Sequence, residues 1–165
     1  MAAFNELDWR RLDVGAIVEQ SGLAVIDVER RTSCREWLER NGYKVETLDC
    51  RGGLDIAIPA LGRMLDWEGQ FGYVLGPDSR NLDALNDGFE FDASGGGCVL
   101  EILGADVAWQ EDPRWLLGLL SIAQAHSRRH LALGQRFFTL LVLPKGSPLI
   151  GVVIEEVKVP GCLGI

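Results

Sequence analysis

Short apolar runs that read as strands alternate along this chain with segments that read as helices, and that alternation constrains the fold more than any other feature. Residues 23–28 (LAVIDV), 44–49 (KVETLD), 98–103 (CVLEIL) and 136–143 (RFFTLLVL) carry the strand signal, being short and rich in β-branched or aromatic side chains. Between the first two, Ser33-Cys34-Arg35-Glu36 has the spacing of a capping box and predicts a helix start, with Asn41-Gly42 as its end. After the Arg51-Gly52-Gly53 turn, Ile58, Leu61 and Leu65 recur at helical spacing, which predicts a helix over 55–67 with Pro59 in its first turn. A loop over 69–80 leads to a short helix opening at Asn81. Asp112-Pro113 is a strong start for a long helix reaching about His130, whose wide apolar face predicts deep burial. Strands and helices in this order predict an α/β fold: one domain over 1–165, with a mainly parallel sheet flanked by helices.

The remaining segments read as connections. Ser94-Gly95-Gly96-Gly97 lacks the following helix and the Lys-Ser/Thr of a phosphate loop, so it reads as a plain connector. Residues 144–148 form a turn, and 149–157 return as a hairpin partner or edge strand. The first residues and the tail after Pro160 are the expected loose ends.

A hydrophobic content of 47% in 165 residues is enough for a sizeable core. Residues 1–13 are polar and acidic rather than basic and then apolar, and the apolar run 115–125 is broken by Ser121 and Gln124. These features predict a cytoplasmic protein with no secretory leader and no membrane span. Cys34, Cys50, Cys98 and Cys162 are widely spaced and form no C-x-x-C, so reduced thiols are expected rather than a zinc or redox site. The charge is unevenly placed. Residues 66–112 hold eleven acids and the single base Arg80, a net of −10, which leaves +2 for the rest of a chain whose total is −8. Acids concentrated in this way attract basic partners and repel nucleic acid and anionic membranes.

Within that segment lies Asn81-Leu82-Asp83-Ala84-Leu85-Asn86-Asp87-Gly88-Phe89-Glu90. Asn81 is a good N-cap. At about 100° per residue, Leu82, Leu85 and Phe89 share one helix face while Asp83, Asn86, Asp87 and Glu90 share the opposite one. Asp83 and Asp87 are like charges at i and i+4, which costs an isolated helix ~0.2–0.5 kcal/mol. Helix stability alone does not select such a pair.

Asn81-Leu82-Asp83-Ala84-Leu85 followed by Asp87 resembles the N-L-D-A-L-x-D motif of the barstar family, the intracellular inhibitors of secreted bacterial ribonucleases. The order of elements is similar over 44–143, with 1–43 as an added strand-helix unit and 144–165 as a carboxyl-terminal extension that supplies an edge strand. The resemblance implies a non-catalytic, cofactor-free inhibitor or immunity protein. In it the motif helix and the preceding loop enter the partner's active site, where aspartates stand in for RNA phosphates. On this chain those aspartates are Asp83 and Asp87, with Asp87 the main anchor and Asn81 starting the helix. Asp78, Asn86 and Glu90 complete the expected contact set, together with Arg80, whose charge would sit awkwardly beside a cationic cleft. The chain differs from the family pattern in having Gly76-Pro77-Asp78-Ser79-Arg80 before the motif asparagine and Asn86 between the aspartates, where aromatic residues are common.

Three alternatives stay open on sequence: an antitoxin of the same fold against another basic toxin, an enzyme, and a scaffold with no toxin partner. For the enzyme reading, His126 and His130 have the i, i+4 spacing of zinc ligands, but Ser127 breaks H-E-x-x-H and no third ligand follows from spacing.

Overall fold

The computed structural model describes residues 11–154 and 157–163. Residues 1–10, and with them most of the polar amino terminus, lie outside the described residues, as do 155–156 in the middle of the expected return strand. The helices are α1 (Leu12–Val14), α2 (Arg31–Arg40), α3 (Leu54–Met64), α4 (Trp67–Phe71), α5 (Leu82–Gly88), α6 (Ala105–Glu111) and α7 (Pro113–Ala132). The strands are β1 (Leu23–Asp27), β2 (Lys44–Asp49), β3 (Cys98–Leu103), β4 (Phe137–Leu143), β5 (Val153–Ile154) and β6 (Val157–Lys158). A π-helical stretch, Gly15–Glu19, follows α1, and a 3-10 turn, Val28–Arg30, joins β1 to α2.

The first four strands form one wholly parallel sheet in the order β1-β4-β3-β2. Strands β3 and β4 are central and buried at every position, which is why CVLEIL and FFTLLVL are almost continuously apolar. Alternate residues serve two cores. Cys98, Leu100 and Ile102 pack with Ile58 and Leu61 of α3, Leu85 of α5 and Leu116 and Leu119 of α7. Val99 and Leu103 face Cys34 and Leu38 of α2 and Ala16 and Ile17 of the π-helical stretch. The result is a single α/β domain whose parallel sheet is covered by helices on both sides, and α5 belongs to the first side. Among the described residues no helix is long and apolar enough to cross a membrane.

Several boundaries differ from those expected, each for a local reason. Ser33 does not cap α2: its hydroxyl donates to the Arg30 carbonyl from inside the helix. The helix starts further back, at Arg31, continuing the 3-10 turn that the Asp27 carboxylate at the end of β1 caps by accepting from the Glu29 N–H at 2.9 Å. Helix α3 stops at Met64 because Asp66 takes a left-handed backbone (φ 50°), and Trp67 then opens the unexpected α4. Pro59 sits inside α3 beyond its first turn, held there by the burial of Leu54, Ala57, Ile58 and Leu61 around it. Helix α6 carried no recognised signal; its Glu111 carboxylate accepts from the Leu54 N–H at 2.9 Å and so caps α3 from another element. The return segment forms a separate antiparallel hairpin, β5 with β6. The tail after Pro160 is not loose where it is described, since Cys162 bridges Val25 at the free edge of β1 and the Leu163 N–H donates to the Val25 carbonyl at 2.7 Å.

Candidate functional site

Helix α5 is only seven residues long, so its order comes from its caps and its seat rather than from helix propensity. The Asn81 side-chain oxygen accepts from the N–H groups of Asp83 (3.0 Å) and Ala84 (3.1 Å). At the other end the Gln70 amide of α4 donates to the Gly88 carbonyl at 3.1 Å. Two glycines make the seat. A Cβ on Gly118 of α7 would lie 2.3 Å from Leu82 Cδ1, so Leu82 fills a notch that only glycine leaves open. A Cβ on Gly88 would lie 2.6 Å from Trp67 Cζ3 and 2.7 Å from Phe71 Cε2, so the end of α5 rests directly on two aromatic rings. Leu85 and Phe89 are buried in the core beneath.

This seat turns the opposite face outward. Asn81, Asp83, Asn86 and Asp87 are all exposed, as the helical spacing requires; Glu90, expected on the same helix face, is also exposed but lies beyond the end of α5, since the backbone leaves the helix at Phe89. Among the described residues none of Asp83, Asp87 and Glu90 takes part in an ion pair. Asp78 is also exposed, in the loop before the helix. Arg80 is half-buried and committed to its own chain: its guanidinium donates to the Pro77 carbonyl at 2.5 Å and lies 3.5 Å from Asp112 and 4.0 Å from Asp55. Its charge is therefore spent on neighbouring carboxylates instead of opposing a cationic partner.

The acidity of residues 66–112 does not form one surface. Glu101 lies on the face of β3 turned away from α5 and is only 1% exposed. It accepts from Arg31 Nε and Nη2, both at 2.9 Å, and from the Thr47 hydroxyl at 2.8 Å. Glu111 caps α3, and Asp112 caps α7 by accepting from the Trp115 N–H at 3.0 Å. Asp92 accepts from the Ser94 N–H in a turn, and the Ser94 side chain, together with that N–H, holds its carboxyl below the usual range. Asp66, Glu68 and Asp106 also make no ion pair among the described residues, so what distinguishes Asp83, Asp87 and Glu90 is their grouping at one exposed face and end of α5, with Asp78 nearby in the chain.

An apolar component was missed in the sequence. Phe71, Tyr73 and Val74 are 40%, 54% and 60% exposed. Phe71 and Tyr73 pack around Trp67, with ring centroids 4.5 and 6.2 Å from it. Since Phe71 also supports Gly88, this aromatic shelf adjoins the acidic helix. An amphipathic pattern hides it, because exposed apolar side chains in a turn-rich loop carry no periodicity.

On the far side of Asp87 a cleft of about 980 Å³ opens between the α5 end and the last turns of α7. Phe89 and Phe91 line it, and Phe137 stacks on Phe91 at 5.4 Å. His126, Arg129 and His130 enter it from α7. Burial, reinforced by Arg129 and His130, holds the His126 imidazole below its ordinary value. His130 Nδ1 is engaged with Gln135 Oε1 at 2.7 Å. No group of three or more His, Cys, Asp or Glu side chains able to hold a metal ion occurs among the described residues.

No family model, curated protein or solved structure matches the chain. The likeness to the barstar family thus rests on the motif at 81–87 and on the order of elements. Of the cysteines, Cys34, Cys50 and Cys98 are buried, and burial pushes their thiols up to about 11, 12 and 12; Cys162 alone is exposed.

Proposed function

We propose that the chain is a barstar-like inhibitor or immunity protein: a cytoplasmic, non-catalytic protein that binds one basic partner, a secreted ribonuclease or another toxin, and blocks its cationic cleft with α5. The observation that carries this reading is the pair Asp83 and Asp87, exposed, without ion-pair partners among the described residues, and displayed on a helix clamped at both ends. A helix held in this way loses little further conformational freedom on binding, and pre-organisation of that kind favours affinity. Its two carboxylates, one helical turn apart on an exposed face, offer paired anionic groups to a cationic cleft, and the excess of acids over bases in this segment gives a field that steers a basic partner. The exposed rings of Phe71 and Tyr73 supply the aromatic anchor that Asn86 does not.

The test is affinity capture with the full chain from lysate and secretome of the source organism at low and high salt. A small basic protein bound one to one, released by salt and lost with Asp87→Ala, is expected. Truncating one member of a desolvated charge pair costs about 2–5 kcal/mol on the scale measured between ribonucleases and their inhibitors, so the variant's Kd should rise by roughly 30-fold or more. Asp87 is exposed and repelled by Asp83, so the variant should melt with the parent chain. A variant that folds and keeps its partner at unchanged affinity overturns the proposal.

A further inference from the structure

The cleft beyond Asp87 is acidic on one side and carries the Arg129 guanidinium on the other, beside two imidazoles. Asp87, Glu90 and Asp92 come from the α5 end and the segment after it, while Arg129, His126 and His130 come from α7. The two sides sense each other: Glu90 acts through space on the His126 imidazole, and His130 on the Asp92 carboxylate. The His126 imidazole also donates toward the Asn86 backbone carbonyl at the α5 side, but among the described residues no ion pair crosses the cleft. Phe89 and Phe91 form the aromatic floor, with Phe89 5.0 Å from the His126 ring, and the buried Phe137 supports Phe91 and lies 5.4 Å from His130.

A partner that offered only positive charge would gain at Asp87 and Glu90 and be repelled at Arg129. An interface of this kind discriminates by penalising the wrong charge as well as by rewarding the right one. We propose that the cleft is the specificity-determining half of the docking surface and seats a segment of the partner protein that turns a Lys or Arg toward Asp87 and Glu90 and a carboxylate toward Arg129. This rests on the reading of α5 as the docking helix, and it adds a requirement which that reading lacks: local mixed charge in a partner that is basic overall.

The two ideas separate with a defined probe. A displayed library of random dodecapeptides is selected against the full chain and against its Asp87→Ala and Arg129→Glu variants, each shown by circular dichroism and melting to be folded. Peptides selected by the parent chain should be enriched in both basic and acidic residues. They should bind Arg129→Glu about tenfold more weakly, while selection on Arg129→Glu should lose the acidic enrichment. Equal or tighter binding of those peptides to Arg129→Glu overturns the mixed-charge requirement and leaves the acidic helix standing. Peptides whose binding and basic enrichment survive Asp87→Ala sink the helix reading and this inference with it, and so does a selection that enriches no charge at all.

Discussion

Glu101 offers a sharp test of whether the acids between 66 and 112 act by number or by place. In sequence it belongs to the acidic segment; in the fold it sits on the opposite side of the sheet from α5, 1% exposed and bonded to Arg31 and Thr47. Replacing it with alanine strands those donors. Breaking a buried pair costs about 3–5 kcal/mol, and the lower end applies because Arg31 and Arg35 are 34% and 36% exposed and regain water. The lost methylene adds about 0.8 kcal/mol. The sum is about 4 kcal/mol, which for a domain of this size lowers Tm by roughly 8–16 °C. Differential scanning calorimetry and urea titration measure it directly. At a temperature where the variant is folded, its affinity for the captured partner should equal that of the parent chain, the reverse of Asp87→Ala. A loss below about 1 kcal/mol would refute the account of how α2 is tied to β2 and β3, and a large loss of affinity at intact fold would show that the segment acts through its total charge.

Two further outcomes follow from the same geometry. Asn81→Ala removes the cap that serves two N–H groups and should cost about 1 kcal/mol of stability by chemical denaturation, with faster hydrogen exchange confined to α5. In the native state at pH 8 an alkylating reagent should modify Cys162 alone, and in denaturant all four cysteines, as read by mass spectrometry. The same thiols set a pH dependence. Below the ordinary thiol value of 9.0 both folded and unfolded chains keep these protons, whereas between there and about 12 the unfolded chain releases protons that the folded chain still holds at Cys34, Cys50 and Cys98. Stability should therefore fall across that alkaline window, and replacing Cys50 and Cys98 with alanine should flatten the fall.

The strands and the acidic face were legible because they depend on short-range periodicity. LAVIDV, CVLEIL and RFFTLLVL are apolar runs of strand length and form β1, β3 and β4 apart from Val28 and Arg136 at their ends, and Asn81 with Leu82, Leu85 and Phe89 sets which way Asp83 and Asp87 point. The start of α2 was misplaced because Ser33 with Glu36 satisfies the local capping rule, whereas the chain turns earlier, through a 3-10 stretch capped by Asp27, and enters α2 at Arg31 with no side-chain cap. Helix α6 was not seen because its stabilising contact, Glu111 to Leu54, spans elements far apart in sequence.

By itself the sequence determined the α/β class, the parallel sheet and the two faces of α5, since each follows from the spacing of apolar side chains along a few turns or residues. Only the tertiary structure decided which charges are free. Arg80 is turned onto Asp112 and Asp55, Glu101 is carried to the far side of the sheet, and Arg129 is brought opposite Asp87 and Glu90. The physical reason is that a charge is neutralised or left available by neighbours in space, and chain packing chooses those neighbours from residues that periodicity cannot connect.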